Sequence, residues 1–273
     1  MSAWSVAGPG SGGAMREHLD RGWRVVATGI SFATFGIGGL VLRVAVFPLL
    51  ALTGGQPARQ TRLARLTVHY AFKAFIELMR VLGVLRYRIE GAEKLRRPGL
   101  LVLANHPTLL DVVFLVSLMP NASCVVKASL VRNPFTRGPV RATRYICNDS
   151  GPGLIEDCVA SVKAGDSLLI FPEGTRTAVG GPMVFQRGAA NVAARGPCDI
   201  TPVTIRCEPL SLTKGLPWWQ VPPRRMFFTI VVRDDIAAQP FLERAGGQAA
   251  LAARQITEFL HNYFSTETAH ADA

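Results

Sequence analysis

The chain has 273 residues, of which 49% are hydrophobic, which suits one large domain with a sizeable core or a domain with an appendage. Its net charge of +11 and pI of about 10.1 indicate an anionic partner, for which nucleic acid, anionic lipid and phosphorylated substrates all qualify, and its mean hydropathy of +0.24 is high for a soluble enzyme. The five dispersed cysteines lack Cys-x-x-Cys or paired Cys/His spacing, which argues against a disulfide framework or a zinc site and predicts reduced thiols in a cytosol-facing domain.

The chain begins with a predicted disordered, basic N-terminus over residues 1–22, followed by a membrane-associated helical segment over residues 23–83. Within that segment, residues 25–42 carry no charge, and this length reaches that of a membrane helix. A secretory signal is the rival interpretation, but no small-residue cleavage site follows. Basic residues flank the stretch on both sides and leave two arrangements open, a single span and two half-length helices that turn near residues 36–39. The second is preferred because it keeps both basic flanks on the cytoplasmic side.

Residues 61–82 are predicted to form one amphipathic helix. Its basic residues fall within a narrow stripe, and its apolar residues occupy the rest of the surface. Two interpretations remain open: a helix lying on an anionic membrane surface, or a core-packed helix with a charged edge in water. The stripe consists of Arg62, Arg65, His69, Lys73 and Arg80.

From residue 84 onward, short apolar runs alternate with helical patterns, which predicts a mostly parallel central sheet flanked by helices on both faces. This α/β domain is expected to cover residues 84–264, and the tail, residues 265–273, is expected to be loose. Strands are predicted at residues 84–90, 99–104, 122–127, 144–147, 167–171, 200–206 and 226–233. Helices are predicted at residues 108–118, 153–164, 187–195 and 241–264.

A polar break, Asn-His-Pro-Thr-Leu-Leu-Asp at residues 105–111, follows the second predicted strand and precedes a helix that we expect to begin near Thr108. Asp111 in the first turn of that helix is favoured by the dipole and leans back toward His106. An imidazole that donates from one ring nitrogen to a carboxylate keeps the other nitrogen free to accept a proton, as a general base does. The alternative is that His106 caps the helix while Asp111 satisfies its first amides.

A second polar break, Pro-Glu-Gly-Thr-Arg at residues 172–176, follows the apolar strand 167–171. Two strand ends can meet along one edge of a parallel sheet, where ligand sites form. Gly174 permits close approach of the backbone to a ligand, and Arg176 offers a planar fork suited to phosphate. An ordinary turn with Glu173 and Arg176 in water is the alternative.

Together these residues resemble a known family. Residues 105–111 resemble the His-x-x-x-x-Asp block, and residues 171–176 the Glu-Gly-Thr-Arg block, of the acylglycerol-phosphate (lysophospholipid) acyltransferases. The similarity extends over about residues 32–233 and implies the glycerolipid acyltransferase fold. It also implies that His106 is the base and that Asp111 orients it. The residues implied to hold the acceptor are Glu173, Gly174, Thr175 and Arg176, with Arg176 on its phosphate.

Further positions extend the resemblance or depart from it. Lys127 matches a lysine often found in the family and either shares the acceptor phosphate or is a solvated lysine at a strand end. Residues 143–148 lack the arginine that the family usually carries in the corresponding block. Trp218 and Trp219 are adjacent, and they lie either at the headgroup level of a bilayer or as a lid on the core.

The resemblance implies an O-acyltransferase that moves a fatty acyl group from acyl-CoA or acyl carrier protein to a hydroxyl of a lysophospholipid such as lysophosphatidic acid. We expect it at the cytoplasmic face of the cell membrane, in contact with anionic lipids, with no metal, cofactor or nucleic acid. The absence of a Gly-x-Ser-x-Gly elbow removes the signature of a serine hydrolase. Two alternatives stay open: another lipid-linked acceptor, as in the branch associated with aryl polyene biosynthesis, or a non-catalytic membrane-binding module.

Overall fold

The N-terminal part of the chain is a long helical hairpin. The structure, a computed structural model, describes residues 11–149, 151–177 and 181–269. Helix α1 spans Ser11–Val41 and continues through a π-helical turn, Leu42–Val46, into α2, Phe47–Leu52. Residues 1–10 of the predicted disordered segment lie outside the described residues. Residues 11–22 are helical instead, because no proline separates them from the apolar run that follows.

The predicted turn at residues 36–39 is wrong, since α1 passes through these glycines without a break. Gly39 serves close packing instead, since a Cβ added there would lie 2.5 Å from the backbone oxygen of Phe135. The chain reverses at residues 53–56, where Gly54 and Gly55 adopt positive φ angles of 64° and 104°. Helix α3, Pro57–Val81, then packs back along α1.

The hairpin exposes much apolar surface. Large apolar side chains along the outer side of α1 and α2 remain exposed, including Trp23, Ile37, Val44 and Leu52. The stretch Leu19–Leu52 is long and apolar enough to cross a membrane, judged by its length and composition alone.

The basic stripe on α3 is not a surface feature along its whole length. The side chain of Arg65 is 6% exposed and forms an ion pair with Asp166 at 2.5 Å. His69 is also buried, with Nδ1 3.0 Å from the carbonyl oxygen of Val116. The middle of the stripe therefore faces the α/β domain, and this part of α3 cannot lie on a membrane surface.

A seven-stranded sheet forms the centre of the α/β domain, in the order β1-β7-β6-β2-β5-β3-β4. Strands β2 to β6 run parallel to one another, whereas β7 is antiparallel to β6 and β1 is parallel to β7, which confirms the mostly parallel sheet. The strands are β1 Leu85–Glu90, β2 Leu101–Ala104, β3 Ala122–Val126, β4 Ile146–Cys147, β5 Ser167–Ile170, β6 Ile200–Glu208 and β7 Met226–Val232.

Two apolar cores cover the two faces of this sheet, as the alternation along β2 illustrates. Val102 and Ala104 face the core that α3 and α4 cover, and Leu101 and Leu103 face the core that α7, α8 and α10 cover. The helices of the domain are α4 Asp111–Leu118, α5 Ala128–Arg132, α6 Arg137–Ala142, α7 Leu154–Lys163, α8 Gly188–Arg195, α9 Gln239–Arg244 and α10 Ala249–Ala269. Short 3₁₀ helices span Ala92–Arg96 and Gly151–Gly153.

The C-terminal helical prediction also differs from the structure. The expected single helix over residues 241–264 is interrupted between α9 and α10, where Gly246 and Gly247 adopt positive φ angles. Residues 265–269 of the predicted loose tail belong to α10, and residues 270–273 lie outside the described part of the chain.

Candidate active site

Three segments with polar side chains meet at one edge of the sheet. Strands β2, β5 and β3 are neighbours and run parallel, so their carboxyl ends open at the same edge. His106 follows β2, Glu173 follows β5, and Lys127 directly follows β3. The fold therefore brings the two predicted polar breaks side by side.

His106 and Asp111 form a hydrogen-bonded pair. Nδ1 of His106 lies 2.8 Å from Oδ2 of Asp111, and the side chains are 16% and 0% exposed. Within the described part of the chain, Nε2 of His106 makes no hydrogen bond. An imidazole that donates through Nδ1 to the carboxylate presents Nε2 as a proton acceptor, which is the arrangement of a general base.

Asp111 also closes the turn that leads into α4. Its carboxylate accepts hydrogen bonds from the backbone N–H of Thr108 at 2.7 Å and from the Thr108 hydroxyl at 2.5 Å. The helix therefore begins at Asp111 rather than near Thr108, because residues 108–110 form this turn. Burial raises the pKa of Asp111, and the hydrogen bonds from His106 and Thr108 oppose that shift.

Glu173 joins the two polar segments through the backbone of His106. Oε1 of the buried Glu173 accepts a hydrogen bond from the His106 N–H at 2.8 Å, and Oε2 accepts one from the Thr177 hydroxyl. Burial raises the pKa of Glu173, while the Thr177 and His106 hydrogen bonds lower it. Gly174, with φ of 66°, provides the positive φ angle that this turn requires. The role of Glu173 visible here is to fix the backbone that carries the imidazole.

Arg176 makes a contact that the sequence did not predict. Its Nη1 donates to the backbone carbonyl oxygens of Leu212 at 3.0 Å and Thr213 at 3.1 Å. The Leu212 carbonyl also accepts the backbone N–H of Leu109 at 3.0 Å. We call residues 209–225, between β6 and β7, the Trp loop; Arg176 and Leu109 together anchor its first part to the two polar segments.

Lys127 lies at the same edge. Its Nζ donates to the Thr175 hydroxyl at 3.2 Å, and its side chain is exposed. A flexible ammonium group at this place adds positive charge beside Gly174 and Thr175. All seven residues predicted for the site thus lie on the segments that follow β2, β5 and β3.

Comparison with known proteins points to the part of the chain that carries the candidate site. The family model described as Acyltransferase matches residues 86–206, the part of the chain that carries both polar segments.

Residues 86–206 are similar to the acyltransferase family.

Curated relatives support the resemblance drawn from the sequence. The 1-acyl-sn-glycerol-3-phosphate acyltransferase of Pseudomonas aeruginosa is 31% identical over 134 residues, which covers 47% of this chain and 52% of that protein. The Saccharomyces cerevisiae protein of the same name is 27% identical over 194 residues, or 67% of this chain and 59% of that protein. The first relatives are thus matched over about half of their length.

A solved structure has the same fold. The crystal structure of the 1-acyl-sn-glycerophosphate (LPA) acyltransferase PlsC from Thermotoga maritima superposes with a TM-score of 0.67 at 15% identity. The match covers 93% of this chain and 98% of that chain, so the helical hairpin and the α/β domain fall within one shared architecture.

The sequence did not single out two further residues that lie beside the candidate site. The Phe171 ring stacks on the His106 imidazole, with centroids 4.1 Å apart and planes inclined by 26°. The buried side chain of Asn105 accepts from the N–H of Ile205 at 2.7 Å and donates to the carbonyl of Ile205 at 2.8 Å. Asn105 thereby fixes the end of β2 against β6. Both residues lie within residues 105–111 and 171–176, which the sequence analysis had singled out. Their contacts could not be predicted, because the partners belong to other segments of the chain.

The Trp loop connects the α/β domain with the helical hairpin. The Trp218 ring packs on Phe32 of α1, with ring centroids 5.7 Å apart, and a Cβ added at Gly29 would lie 3.5 Å from Trp218. Trp218 and Trp219 nevertheless remain exposed, which favours the headgroup-level interpretation over a lid on the core. Among the described residues, no group of three or more His, Cys, Asp or Glu side chains is arranged to hold a metal ion.

Proposed function

We propose that this chain is an O-acyltransferase that moves an acyl group from a thioester donor to a hydroxyl of a lysophospholipid such as lysophosphatidic acid. The observation that carries the proposal is the His106–Asp111 pair, with a fully buried carboxylate, at the edge where the Glu173–Arg176 segment also ends. The names of the curated relatives support the same reaction and the same acceptor.

The proposed reaction needs no covalent enzyme intermediate, because a thioester is already activated. Nε2 of His106 removes the proton from the acceptor hydroxyl as its oxygen attacks the thioester carbonyl. Asp111 stabilises the imidazolium that forms. The tetrahedral intermediate then expels the thiolate, which takes the proton from the imidazolium, so that an ester and a free thiol leave the site.

The acceptor is proposed to be held by the segment that follows β5. Gly174 and Thr175 offer backbone and hydroxyl groups beside Lys127, whose ammonium group suits a phosphate. Nε and Nη2 of Arg176 are not engaged by the Trp loop and can bind the same phosphate, while Nη1 holds the loop. A different lipid-linked acceptor, of the aryl polyene type, stays a prediction from the sequence.

We place the reaction at the cytoplasmic face of the cell membrane, in contact with anionic lipids. The apolar outer side of α1 and α2 and the exposed tryptophans of the Trp loop support contact with a bilayer. The five free cysteines agree with a reducing compartment, which is also where acyl-CoA and acyl carrier protein are found. The donor, acyl-CoA or acyl carrier protein, is the co-substrate, and no cofactor is proposed.

The test is an acyl-transfer assay with the purified full chain. Both donor types are offered against a panel of lysolipids, with products identified by mass spectrometry, for the wild type and for His106→Ala. We expect the transfer rate of the variant to be about 10²- to 10⁴-fold lower, which is the range that a general base contributes, and its membrane attachment to be unchanged.

The control variant is Lys163→Ala, which changes an exposed residue on α7 and should keep the wild-type transfer rate. A fully active His106→Ala variant would remove His106 from the mechanism. Liposome binding by a wild-type protein that transfers from neither donor would instead favour the non-catalytic membrane-binding module.

A further inference from the structure

A large basic groove lies at the edge of the sheet opposite to the candidate active site. It has a volume of about 1080 Å³, and residues that precede or begin β2, β3, β4 and β5 line it. The first turns of α3 and the end of α7 form its walls. The parallel strands separate this groove from the edge that carries His106.

The floor of the groove is electrically balanced. Asp166 accepts hydrogen bonds from Asn121 at 3.1 Å and Ser161 at 2.8 Å, and it pairs with Arg65 at 2.5 Å. Arg97 is neutralised in the same way, since it binds both carboxylate oxygens of Asp235 at 2.7 and 3.0 Å. Two of the five arginines that line the groove are therefore already paired.

The rim carries the remaining three arginines, and each comes from a different part of the chain. Arg62 belongs to α3, Arg96 to the 3₁₀ helix before β2, and Arg144 to the connection between α6 and β4. Within the described part of the chain, none of the three guanidinium groups makes a hydrogen bond or an ion pair, and all three residues are exposed. Arg144 adopts a φ of 52°, a conformation that non-glycine residues rarely take.

One carboxylate opposes these three cations. Apart from Asp166, the described lining contains only Asp157, on α7. An excess of positive charge in a concave surface concentrates the field and attracts anions. The guanidinium fork matches the oxygens of a phosphate group, and Arg62, Arg96 and Arg144 line the same groove.

We propose that this groove is a second anion site, which takes a phosphate group carried by a larger molecule. A lipid headgroup and a soluble organic phosphate share this chemistry, and the groove is large enough for either. The position of the groove is compatible with both sources. A lipid headgroup could reach it because α3, which forms one wall, begins directly after the reversal at residues 53–56, beside the exposed Leu52 of α2. A soluble phosphate could reach it because the groove also opens to solvent. The site does not depend on the acyl transfer proposed above.

The experiment compares the full chain with the triple variant R62Q/R96Q/R144Q. The matched control is R86Q/R132Q/R254Q, which removes the same charge from exposed positions outside the groove lining. The soluble probe is inorganic pyrophosphate, measured by calorimetry in detergent. The lipid probe is flotation with phosphatidylcholine vesicles, prepared with and without phosphatidylglycerol.

We expect the groove variant to lose about tenfold in affinity for at least one probe, and the control to stay within about twofold of the wild type. A selective loss for pyrophosphate identifies a soluble phosphate ligand. A selective loss of the phosphatidylglycerol-dependent part of vesicle binding identifies a lipid headgroup. Equal affinities of groove variant and control for both probes, or no binding of either probe by the wild type, would overturn the proposal.

Discussion

Replacement of Asp111 by Asn tests the central pair with little change of shape. The wild-type carboxylate accepts from His106 and Thr108 through Oδ2, and from the Thr108 hydroxyl through Oδ1. An asparagine whose oxygen occupies the Oδ2 position keeps the first two bonds, and its amide donates to the Thr108 hydroxyl. The variant therefore retains the geometry and loses the negative charge.

The size of the effect follows from that lost charge. A hydrogen bond to a charged group contributes about 1.5–3 kcal/mol, compared with about 0.5–1.5 kcal/mol for a neutral one. The difference of at least about 1 kcal/mol sets the lower limit for the loss of imidazolium stabilisation. Two unit charges about 4 Å apart interact by about 4 kcal/mol in a partly buried site, which sets the upper limit. We therefore expect kcat to fall by roughly fivefold to a thousandfold.

The assay is steady-state acyl transfer by the wild type, both single variants and the double variant His106→Ala/Asp111→Asn. Because Asp111 acts through the imidazole, its replacement should cost almost nothing once His106 is alanine. Thr108→Val, which removes the hydroxyl but no charge, is the control and should lose less than Asp111→Asn. The reasoning is refuted if Asp111→Asn retains wild-type kcat, or if it costs the same factor in the two backgrounds.

Three further predictions concern the supporting structure. Burial raises the pKa of Glu173 above its ordinary value of 4.5, because the folded protein disfavours the ionised carboxylate. The wild type therefore loses folding stability as the pH rises above about 4.5. Glu173→Gln should consequently gain stability relative to the wild type from about pH 4 to about pH 8 in denaturant titrations, and a pH-independent difference would contradict this. Arg176→Lys keeps the charge but lacks the fork that holds two carbonyls of the Trp loop; trypsin should cut that loop about tenfold faster, and an unchanged rate would remove the anchoring role. Gly39→Ala should lower the unfolding free energy by about 1–3 kcal/mol because its Cβ meets backbone at 2.5 Å. Gly38→Ala, with nothing within 4 Å, should be neutral or stabilising by up to about 1 kcal/mol in the same thermal melts.

Local sequence was sufficient for the parts of the site that are close together along the chain. The five-residue spacing between His106 and Asp111 lets a strand end, a turn and a helix start place the two side chains in contact, whatever packs around them. The short branched runs before residues 105 and 172 similarly predicted β2 and β5, because such runs favour buried strands.

The sequence could not assign contacts between distant segments. It provided no means to predict that the Arg176 guanidinium would bind backbone carbonyls in the Trp loop, since carbonyl positions depend on the fold rather than on residue type. The same holds for the stacking of Phe171 on His106, which needs β2 and β5 to be neighbours.

Two corrections in the helical hairpin have the same origin. Gly39 was interpreted as a turn, whereas it gives α1 room to pass Phe135, and Arg65 was placed on a surface stripe, whereas it pairs with Asp166 across the domain. The sequence by itself determined the strand-helix alternation, the apolar N-terminal helix and the His–Asp pair, because each depends on neighbours within a few residues. Only the tertiary structure decided which strand ends meet, where the hairpin reverses and which arginines stay unpaired, because these depend on packing between segments far apart in the chain.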